Sequence, residues 1–154
     1  MRGRKTRFGA CAGKAREEMA LLITRETDYA IRALRALADG RKKTLAMICG
    51  EEAVPQQFGY KILKKLSLAG YVRIYRGKDG GYIISEKFGD KTLYDLTTAM
   101  ENPTDVSPCV APDYICEAHK QEGDSCKVNK RLSKLQTAID DELKAVNLLE
   151  LLTE

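Results

Sequence analysis

Long apolar segments are missing from this chain of 154 residues. No run approaches the roughly 18 apolar residues that a membrane-spanning helix needs, so we expect no membrane segment. The basic N-terminus is not followed by an apolar stretch, and we therefore expect no signal peptide. Five cysteines, an odd number, argue against a disulfide framework. Together these absences favour a cytoplasmic protein with reduced thiols.

The groups that catalysis needs are also scarce. The chain has one histidine, no nucleophile elbow and no phosphate-binding glycine loop. The cysteines are therefore not accompanied by the general base that a thiol enzyme uses. We expect that the protein is not an enzyme.

Charge is unevenly distributed along the chain, whose formal net charge is +4. Residues 1–19 carry a net +4, residues 20–84 a net +6 and residues 85–154 a net −6. A nucleic-acid-binding surface requires such a concentration of basic charge, so we look for one in the first half. Residues 1–19 combine basic residues with glycine and are expected to be a disordered tail.

Three helices are predicted after this tail. The first begins after Thr24, an N-capping residue, and stops at Gly40, with apolar residues at helical spacing between them. Thr44 begins a short second helix, in which Cys49 is expected to be a small buried side chain. After a turn, Pro55 suits the first position of a third helix. This succession of elements predicts a helix–turn–helix.

The third helix is the candidate reading helix for DNA. Its inward-facing residues are expected to be Phe58, Ile62, Leu63 and Leu66. Residues at the N-terminal end of such a helix meet base edges, and glutamine can bond adenine through two hydrogen bonds. The candidates for base contact are Gln56, Gln57 and Tyr60. The lysines suit phosphates, which position a protein without reading sequence. The candidates for phosphate contact are Lys61, Lys64 and Lys65.

A β-hairpin is predicted directly after the third helix. Residues 71–75 and 82–84 are rich in β-branched and aromatic side chains, as strands are. The glycine-rich segment between them, residues 77–81, suits a tight turn with positive φ. A two-stranded wing after a helix–turn–helix makes a winged helix. Its basic residues can approach the DNA backbone or the minor groove, and they are Arg73, Arg76 and Lys78.

The end of the chain carries a long helical pattern. Residues 127–149 contain no glycine or proline and predict a helix of about 23 residues, roughly 35 Å long. Its apolar stripe needs cover from a second subunit, from the chain's own winged helix, or from both. The stripe consists of Leu132, Leu135, Ile139, Leu143 and Val146, extended by Leu149.

The predicted fold is mainly α with a small β-hairpin wing. A basic tail covers residues 1–19, and a winged helix–turn–helix domain covers residues 20–101. A cysteine-containing loop then covers residues 102–126, and a dimerisation helix covers residues 127–154.

Three of the cysteines lie together in this loop: Cys109, Cys116 and Cys126. Exposed thiols in a reducing cell need a function, and three soft ligands on a polar segment indicate a metal or cluster site. The gaps of six and nine residues do not resemble the paired C-x-x-C motifs of structural zinc sites.

Several segments resemble the Rrf2 family of bacterial winged-helix transcription regulators, of the IscR and NsrR type. One segment resembles the opening helix of the family, three resemble its wing, and two resemble the helix after the wing. They are TRETDYAIRAL at 24–34, then GYV at 70–72, RG at 76–77 and GGY at 80–82, then TLYDL at 92–96 and ME at 100–101. The match extends from about residue 21 to the C-terminus.

The resemblance implies a homodimeric DNA-binding regulator, usually a repressor, that reads a roughly palindromic operator in double-stranded DNA. Members with three cysteines in this loop bind an iron–sulfur cluster, of the 2Fe–2S or the 4Fe–4S type. Such a regulator senses redox state, nitric oxide or iron–sulfur status. The alternative in the family is a cluster-free regulator that responds to a protein partner or to thiol oxidation, although its members lack the three-cysteine loop.

Three thiolates leave a fourth cluster ligand to be supplied. In the IscR pattern a histidine stands three residues after the last cysteine, where this chain has Asn129. The one histidine, His119, lies between the second and third cysteines. In NsrR-type members an acidic residue of the first helix, from the other subunit, completes the cluster, and Asp28 matches that position. The resemblance favours Asp28, with His119 as the alternative.

Overall fold

The computed structural model of the chain describes residues 22–100, 104–116 and 126–153. These residues are mainly helical and include one antiparallel hairpin, so the predicted fold class is confirmed. The helices are α1 (Arg25–Leu37), α2 (Leu45–Glu51), α3 (Gln56–Leu68), α4 (Leu93–Ala99), α5 (Lys127–Ala145) and α6 (Leu148–Thr153). The strands are β1 (Val72–Tyr75) and β2 (Gly81–Ile84). No helix of the described residues is long and apolar enough to cross a membrane.

Helix α1 begins where its capping residue predicts. Thr24 lies just outside the helix in an extended conformation, and its hydroxyl oxygen accepts the backbone N–H of Thr27 at 3.3 Å. This bond satisfies one of the free N–H groups of the first helical turn. Gly40 follows the helix with φ 72°, a conformation that glycine adopts without strain. The buried face of α1 consists of Thr27, Ala30, Ala33, Leu34, Ala36 and Leu37.

Helices α2 and α3 approach each other closely because α3 has a glycine, Gly59, at their contact. A Cβ on Gly59 would lie 2.6 Å from Sγ of Cys49 and 3.0 Å from Cδ1 of Leu45, so a side chain there would push the helices apart. Cys49 is buried, as predicted, and burial raises the pKa of its thiol. The chain turns between the helices at Ala53, whose φ is 52°. The predicted helix–turn–helix is therefore present.

Helix α3 departs from the prediction at two positions. Pro55 caps the helix from outside, so the first helical residue is Gln56. Phe58, predicted to face inward, is 38% exposed. Its ring centre lies 5.8 Å from that of Tyr29, so Phe58 covers the rim of the contact between α1 and α3. The other inward-facing residues are fully buried as predicted, and they are Ile62, Leu63 and Leu66.

The wing is a two-stranded hairpin that is anchored along one edge. Its register places Ile74 of β1 opposite Tyr82 of β2. On the other side of β2, the backbone of Tyr82 exchanges hydrogen bonds of 2.8 and 2.9 Å with Lys43. Gly77 begins the turn with φ 103°. The connection between α1 and α2 therefore acts as a short third strand that fixes the wing to the helices.

The C-terminal helix is interrupted, contrary to the prediction of one continuous helix to Leu149. Helix α5 ends before Val146, which is extended. The backbone N–H of Leu93 donates to the carbonyl of Val146 at 2.9 Å, and that of Leu148 donates to the carbonyl of Lys91 at 2.9 Å. These long-range bonds replace the helical ones, although no local residue breaks the helix. Helix α5 has 19 residues and is roughly 28 Å long.

Asn147 redirects the chain after this interruption. Its side-chain N–H donates to the carbonyl of Gly89 at 2.8 Å, and its side-chain oxygen accepts the N–H of Leu149 at 2.8 Å. The second bond caps the start of α6, and Leu148 of that helix is fully buried in the main core. The last helix therefore belongs to the core of the winged-helix domain.

The predicted apolar stripe of α5 is covered only in part. Leu143 is buried, whereas Leu135 is 51% exposed within the single chain. Helix α5 packs against α4 and against the 3-10 turn Pro108–Val110. One part of the stripe thus folds back onto its own chain, and cover of the rest by a second subunit stays a prediction.

Replacing Leu148 with alanine should destabilise the fold by about 2–5 kcal/mol, because the substitution leaves a cavity in a fully buried site. The free energy of unfolding from urea denaturation measures this loss. Leu68→Ala is the matched control, because Leu68 is 82% exposed and should lose less than about 0.5 kcal/mol. Equal losses in the two variants would contradict the place of α6 in the core.

Candidate nucleic-acid interface and cysteine segment

Helix α3 presents a polar stripe on the face opposite the core. Gln57, Lys61 and Lys64 follow one another at spacings of four and three residues, so they lie on one side of the helix. All the residues predicted to contact bases are exposed, and they are Gln56, Gln57 and Tyr60. Neither glutamine side chain forms a hydrogen bond within the described part of the chain. Their amide groups are therefore free to meet an external partner.

Two lysines of α3 bind one carboxylate of α1. Nζ of Lys61 lies 2.5 Å from Oε1 of Glu26, and Nζ of Lys65 lies 3.0 Å from Oε2. Lys65 also donates to the carbonyl of Met100 at 3.4 Å, and its side chain is only 21% exposed. Lys65, a candidate for phosphate contact, is therefore half-buried and connects α3 to α1 and to the end of α4.

The lysines keep Glu26 charged. Hydrogen bonds from Lys61 and then Lys65 lower the pKa of this carboxyl group, and partial burial opposes them only in part. Glu26 is therefore ionised at neutral pH and neutralises part of the basic charge of α3. The sequence does not indicate this pairing, since helical periodicity does not show which neighbouring helix a lysine will meet.

A second group of charges joins α1 to the end of α2. Nε of Arg32 lies 3.0 Å from Oδ2 of Asp28 one helical turn away, and Nη1 of Arg32 donates to the carbonyl of Glu52 at 3.4 Å. Arg35 forms an ion pair with the Glu52 carboxylate, whose hydrogen bonds raise the pKa of the arginine. Helix α1 is thus bound through charged side chains to both helices of the helix–turn–helix.

The wing carries two basic residues without an internal partner. Arg76 and Lys78 are exposed and form no ion pair within the described residues. Arg73 differs, because its Nη2 lies 3.2 Å from Oε1 of Glu86. Both members of that pair are exposed, so the pair is weak and can exchange with other ions.

Of two further lysines, Lys42 contacts the wing through its side chain and Lys43 through its backbone. Nζ of Lys42 donates to the carbonyl of Asp79 at 2.6 Å and lies 5.7 Å from the ring centre of Tyr75. Nζ of Lys43 binds the carboxylate of Glu51 at 2.7 Å, which raises the pKa of the lysine. In the sequence these lysines are visible only as basic charge, since no local pattern shows that they contact the wing.

The cysteine segment is attached to the beginning of α5. Cys109 lies in the 3-10 turn Pro108–Val110, and its Sγ is 3.3 Å from Oγ of Ser107. The side-chain N–H of Asn129 donates to the carbonyl of Cys109. Cys126 is the capping residue of α5, and its carbonyl accepts the N–H of Lys130 at 3.0 Å. Asn129 thus connects the backbone of Cys109 to the helical turn that follows Cys126.

Gln136, which lies further along α5 than Asn129, also binds the cysteine segment. Its side-chain oxygen accepts the N–H of Val106 at 2.8 Å, and its side-chain nitrogen donates to the carbonyl of Thr104 at 3.1 Å. The nitrogen also donates to Oδ1 of Asp140 at 2.8 Å. The Gln136 side chain thus bonds a backbone N–H and a backbone carbonyl of the segment, as a neighbouring β-strand would. Sequence spacing gave no sign of this contact.

The three cysteines are chemically suitable ligands for an iron–sulfur cluster, but the structure does not arrange them as a binding site. Cys109, Cys116 and Cys126 are all unpaired and half-buried. Within the described ranges, no three Cys, His, Asp or Glu side chains lie close enough to hold a metal ion. Asp28 lies on α1 in an ion pair with Arg32. The alternative ligand, His119, lies outside the described residues.

A helix–turn–helix followed by an anchored hairpin defines the winged-helix class of DNA-binding proteins. The chain belongs to the Rrf2 family, described as iron-dependent transcriptional regulators, whose family model matches residues 23–154. Members of this family are transcription regulators that bind DNA, and they are not enzymes. The expectation of a non-enzymatic regulator is thereby confirmed.

Individual relatives agree with this assignment. The chain is 30% identical over 117 residues to an rrf2-like HTH-type transcriptional regulator of Rhodobacter capsulatus, covering 71% of this chain and 77% of the relative. The fold of this chain matches that of CymR (YrzC), the global cysteine regulator of B. subtilis, with a TM-score of 0.64. The two are 19% identical, over 85% of this chain and 95% of CymR. The fold also matches that of IscR of T. potens, with a TM-score of 0.62 and 19% identity over 87% and 88% of the two chains.

Replacing Lys42 with methionine should loosen the turn of the wing. The substitution removes the ammonium group that donates to the Asp79 carbonyl. The methionine side chain is apolar and has a similar length. A lost hydrogen bond of about 1 kcal/mol corresponds to roughly fivefold faster hydrogen exchange at the Gly80 amide, measured by NMR. Lys87→Met is the control, because Lys87 is exposed and lies outside the hairpin. Unchanged exchange in the Lys42 variant would show that this lysine does not hold the wing.

Proposed function

We propose that α3 is the reading helix of an operator-binding regulator and lies in the major groove of double-stranded DNA. The observation that carries this proposal is the exposed stripe at the N-terminal end of α3, whose amides have no partner within the described residues. Gln56 and Gln57 offer paired donors and acceptors to base edges, and Tyr60 lies one turn further along.

Phosphate contacts surround this reading stripe. Lys64 lies on the exposed side of α3, and Arg76 and Lys78 extend from the wing. Such contacts fix the register of the protein on the duplex without reading its sequence. Three further basic residues contribute less, because each is already paired with a glutamate: Lys61, Lys65 and Arg73.

We propose further that two subunits pair through α5. Leu135 is 51% exposed and Val128 is 64% exposed, and both lie on the same helix one full heptad apart. A second copy of α5 would cover these side chains. Two reading helices related by a twofold axis then fit a roughly palindromic operator, where binding of the dimer represses transcription.

Cys109, Cys116 and Cys126 are proposed to hold an iron–sulfur cluster, with Asp28 of the second subunit as the fourth ligand. This proposal is supported by the chemistry of the three thiols, which are unpaired and half-buried. They lie on a segment that Asn129 and Gln136 bind to α5. A cluster of this kind would supply a centre that reacts with oxygen and nitric oxide.

Helix α1 provides the route from such a site to DNA. Asp28 lies in its first turn, two residues after the Glu26 that binds Lys61 and Lys65 of the reading helix. A force on Asp28 therefore acts on the same turn of α1 that holds α3. The relative orientation of two reading helices would respond to such a movement.

A cluster-free regulator is the second candidate. The half-buried, unpaired state of the three thiols suits direct oxidation as well as ligation. The fold neighbours include both the cysteine regulator CymR and IscR, so fold alone does not choose between the two signals.

Neutralising the wing should weaken DNA binding and reduce its dependence on salt. Each phosphate contact contributes about 0.9 to the slope of log K against log salt concentration. The double variant Arg76→Ala/Lys78→Ala should therefore lose roughly two units of slope, measured by fluorescence anisotropy on a labelled duplex. The control is Lys130→Ala/Lys134→Ala, which removes the same charge from the exposed side of α5. Equal slopes in both variants would argue against the wing contact.

Protein purified without air should be brown, absorb at roughly 400–450 nm and contain iron and acid-labile sulfide if the cluster is present. Cys116→Ser should lose this absorbance, because it removes one of three thiolate ligands. Cys11→Ser, which changes a cysteine outside the loop, should keep it. A colourless anaerobic preparation without iron or sulfide would favour the cluster-free candidate.

The same absorbance measurement tests the fourth ligand. Asp28→Ala removes the proposed oxygen ligand and also breaks the ion pair with Arg32. Arg32→Met breaks the same ion pair but leaves the carboxylate in place. Faster bleaching in the Asp28 variant alone supports ligation, whereas equal bleaching in both variants assigns the effect to the ion pair.

A further inference from the structure

We propose that Glu26 competes with DNA phosphates for Lys61 and so limits the affinity of the reading face for DNA of any sequence. This inference rests on the proposed function, because it takes α3 as the helix that approaches DNA. It assigns a role in binding to an acidic residue that lies on α1, outside the helix–turn–helix itself.

The two lysines that share Glu26 differ in how firmly they are held. Lys65 is 21% exposed and has a second acceptor in the carbonyl of Met100, so it is committed to the protein. Lys61 is 57% exposed, and Glu26 is its one ion-pair partner among the described residues. Lys61 can therefore exchange Glu26 for an external anion without leaving a buried group unpaired.

Glu26 is a suitable substitute for a phosphate. Its two carboxylate oxygens accept hydrogen bonds from ammonium groups, as two phosphate oxygens do. The carboxylate is ionised at neutral pH, because both lysines favour the charged form. A DNA phosphate that approaches Lys61 must displace this group and is also repelled by its charge.

Glu26 therefore lowers the number of lysines that α3 offers to DNA. Lys64 forms no ion pair within the described residues, whereas Lys61 and Lys65 both do. Binding to DNA of arbitrary sequence depends almost entirely on phosphate contacts. Since the genome offers very many such sites, a weaker sequence-independent contact reduces competition with the operator.

The experiment compares Glu26→Gln with the wild-type full-length protein on a mixed-sequence duplex of arbitrary sequence. Fluorescence anisotropy is measured at several salt concentrations between about 50 and 200 mM. Release of Lys61 should add one phosphate contact and steepen the salt slope by about 0.9. The gain in affinity should then be about threefold larger at 50 mM than at 200 mM salt. An unchanged slope, or weaker binding, would overturn the proposal in favour of Glu26 as a purely structural link.

Two matched variants separate local from general effects. Glu142→Gln changes the net charge equally on the exposed side of α5 and should leave the slope unchanged. The double variant Glu26→Gln/Lys61→Met should lose the additional slope of the single variant. If the additional slope survives without Lys61, the released group is not this lysine and the proposal is wrong.

A second comparison needs no change at Glu26, in case its loss prevents folding. In the wild-type background, Lys64→Met should reduce the salt slope by about 0.9, because no carboxylate among the described residues competes for Lys64. Lys61→Met should reduce it by less than half as much. Equal reductions would show that Lys61 already contacts phosphate and that Glu26 does not compete.

The outcomes also distinguish this inference from the proposed function. If the wild-type protein binds duplex DNA without dependence on salt, the phosphate-contacting face is itself wrong. If the wild-type protein binds with a steep dependence and Glu26→Gln does not alter it, only the role of Glu26 fails.

Discussion

The contact between α1 and α3 is the interaction on which the rest of the molecule depends. At its centre, Leu34 packs in the same buried core as Ile62 and Leu66, and at its rim the ring of Phe58 lies against that of Tyr29. Helix α1 also contacts α2, α6 and β2. The position of α3, the proposed reading helix, therefore depends on α1 as well as on its direct contact with β1. A displacement of α1 would act on α3.

Local signals were sufficient to predict the helix–turn–helix and the wing. Thr24 and Thr44 both cap the helices that they were expected to begin, and Gly77 adopts the positive φ that the hairpin turn requires. The interruption after α5 was not predictable, because residues 146–148 bond to the backbone of residues 91–93, which are far away in sequence. The partial burial of Lys65 was not predictable for the same reason, since its partners lie on other elements.

Only the residue types of the candidate cysteine site were predictable from the sequence. The three thiols and their spacing are visible in the sequence, but the contacts that position their segment come from two amides of α5. Asn129, which stands where a histidine ligand was considered, binds the carbonyl of Cys109, and Gln136 binds the residues that precede it. No periodicity or motif indicates such amide contacts, because they depend on how the segment and the helix pack.

The proposed coupling between the cysteine segment and DNA binding is tested most directly by following both in one sample. Affinity for a duplex selected in vitro is measured on the anaerobically purified protein, before and after stepwise exposure to air, while absorbance is recorded. We expect the affinity to change by about tenfold or more in step with the loss of absorbance, a coupling within the usual range for two linked sites. Complete bleaching with unchanged affinity would contradict a connection between the cysteine segment and α3, the proposed reading helix.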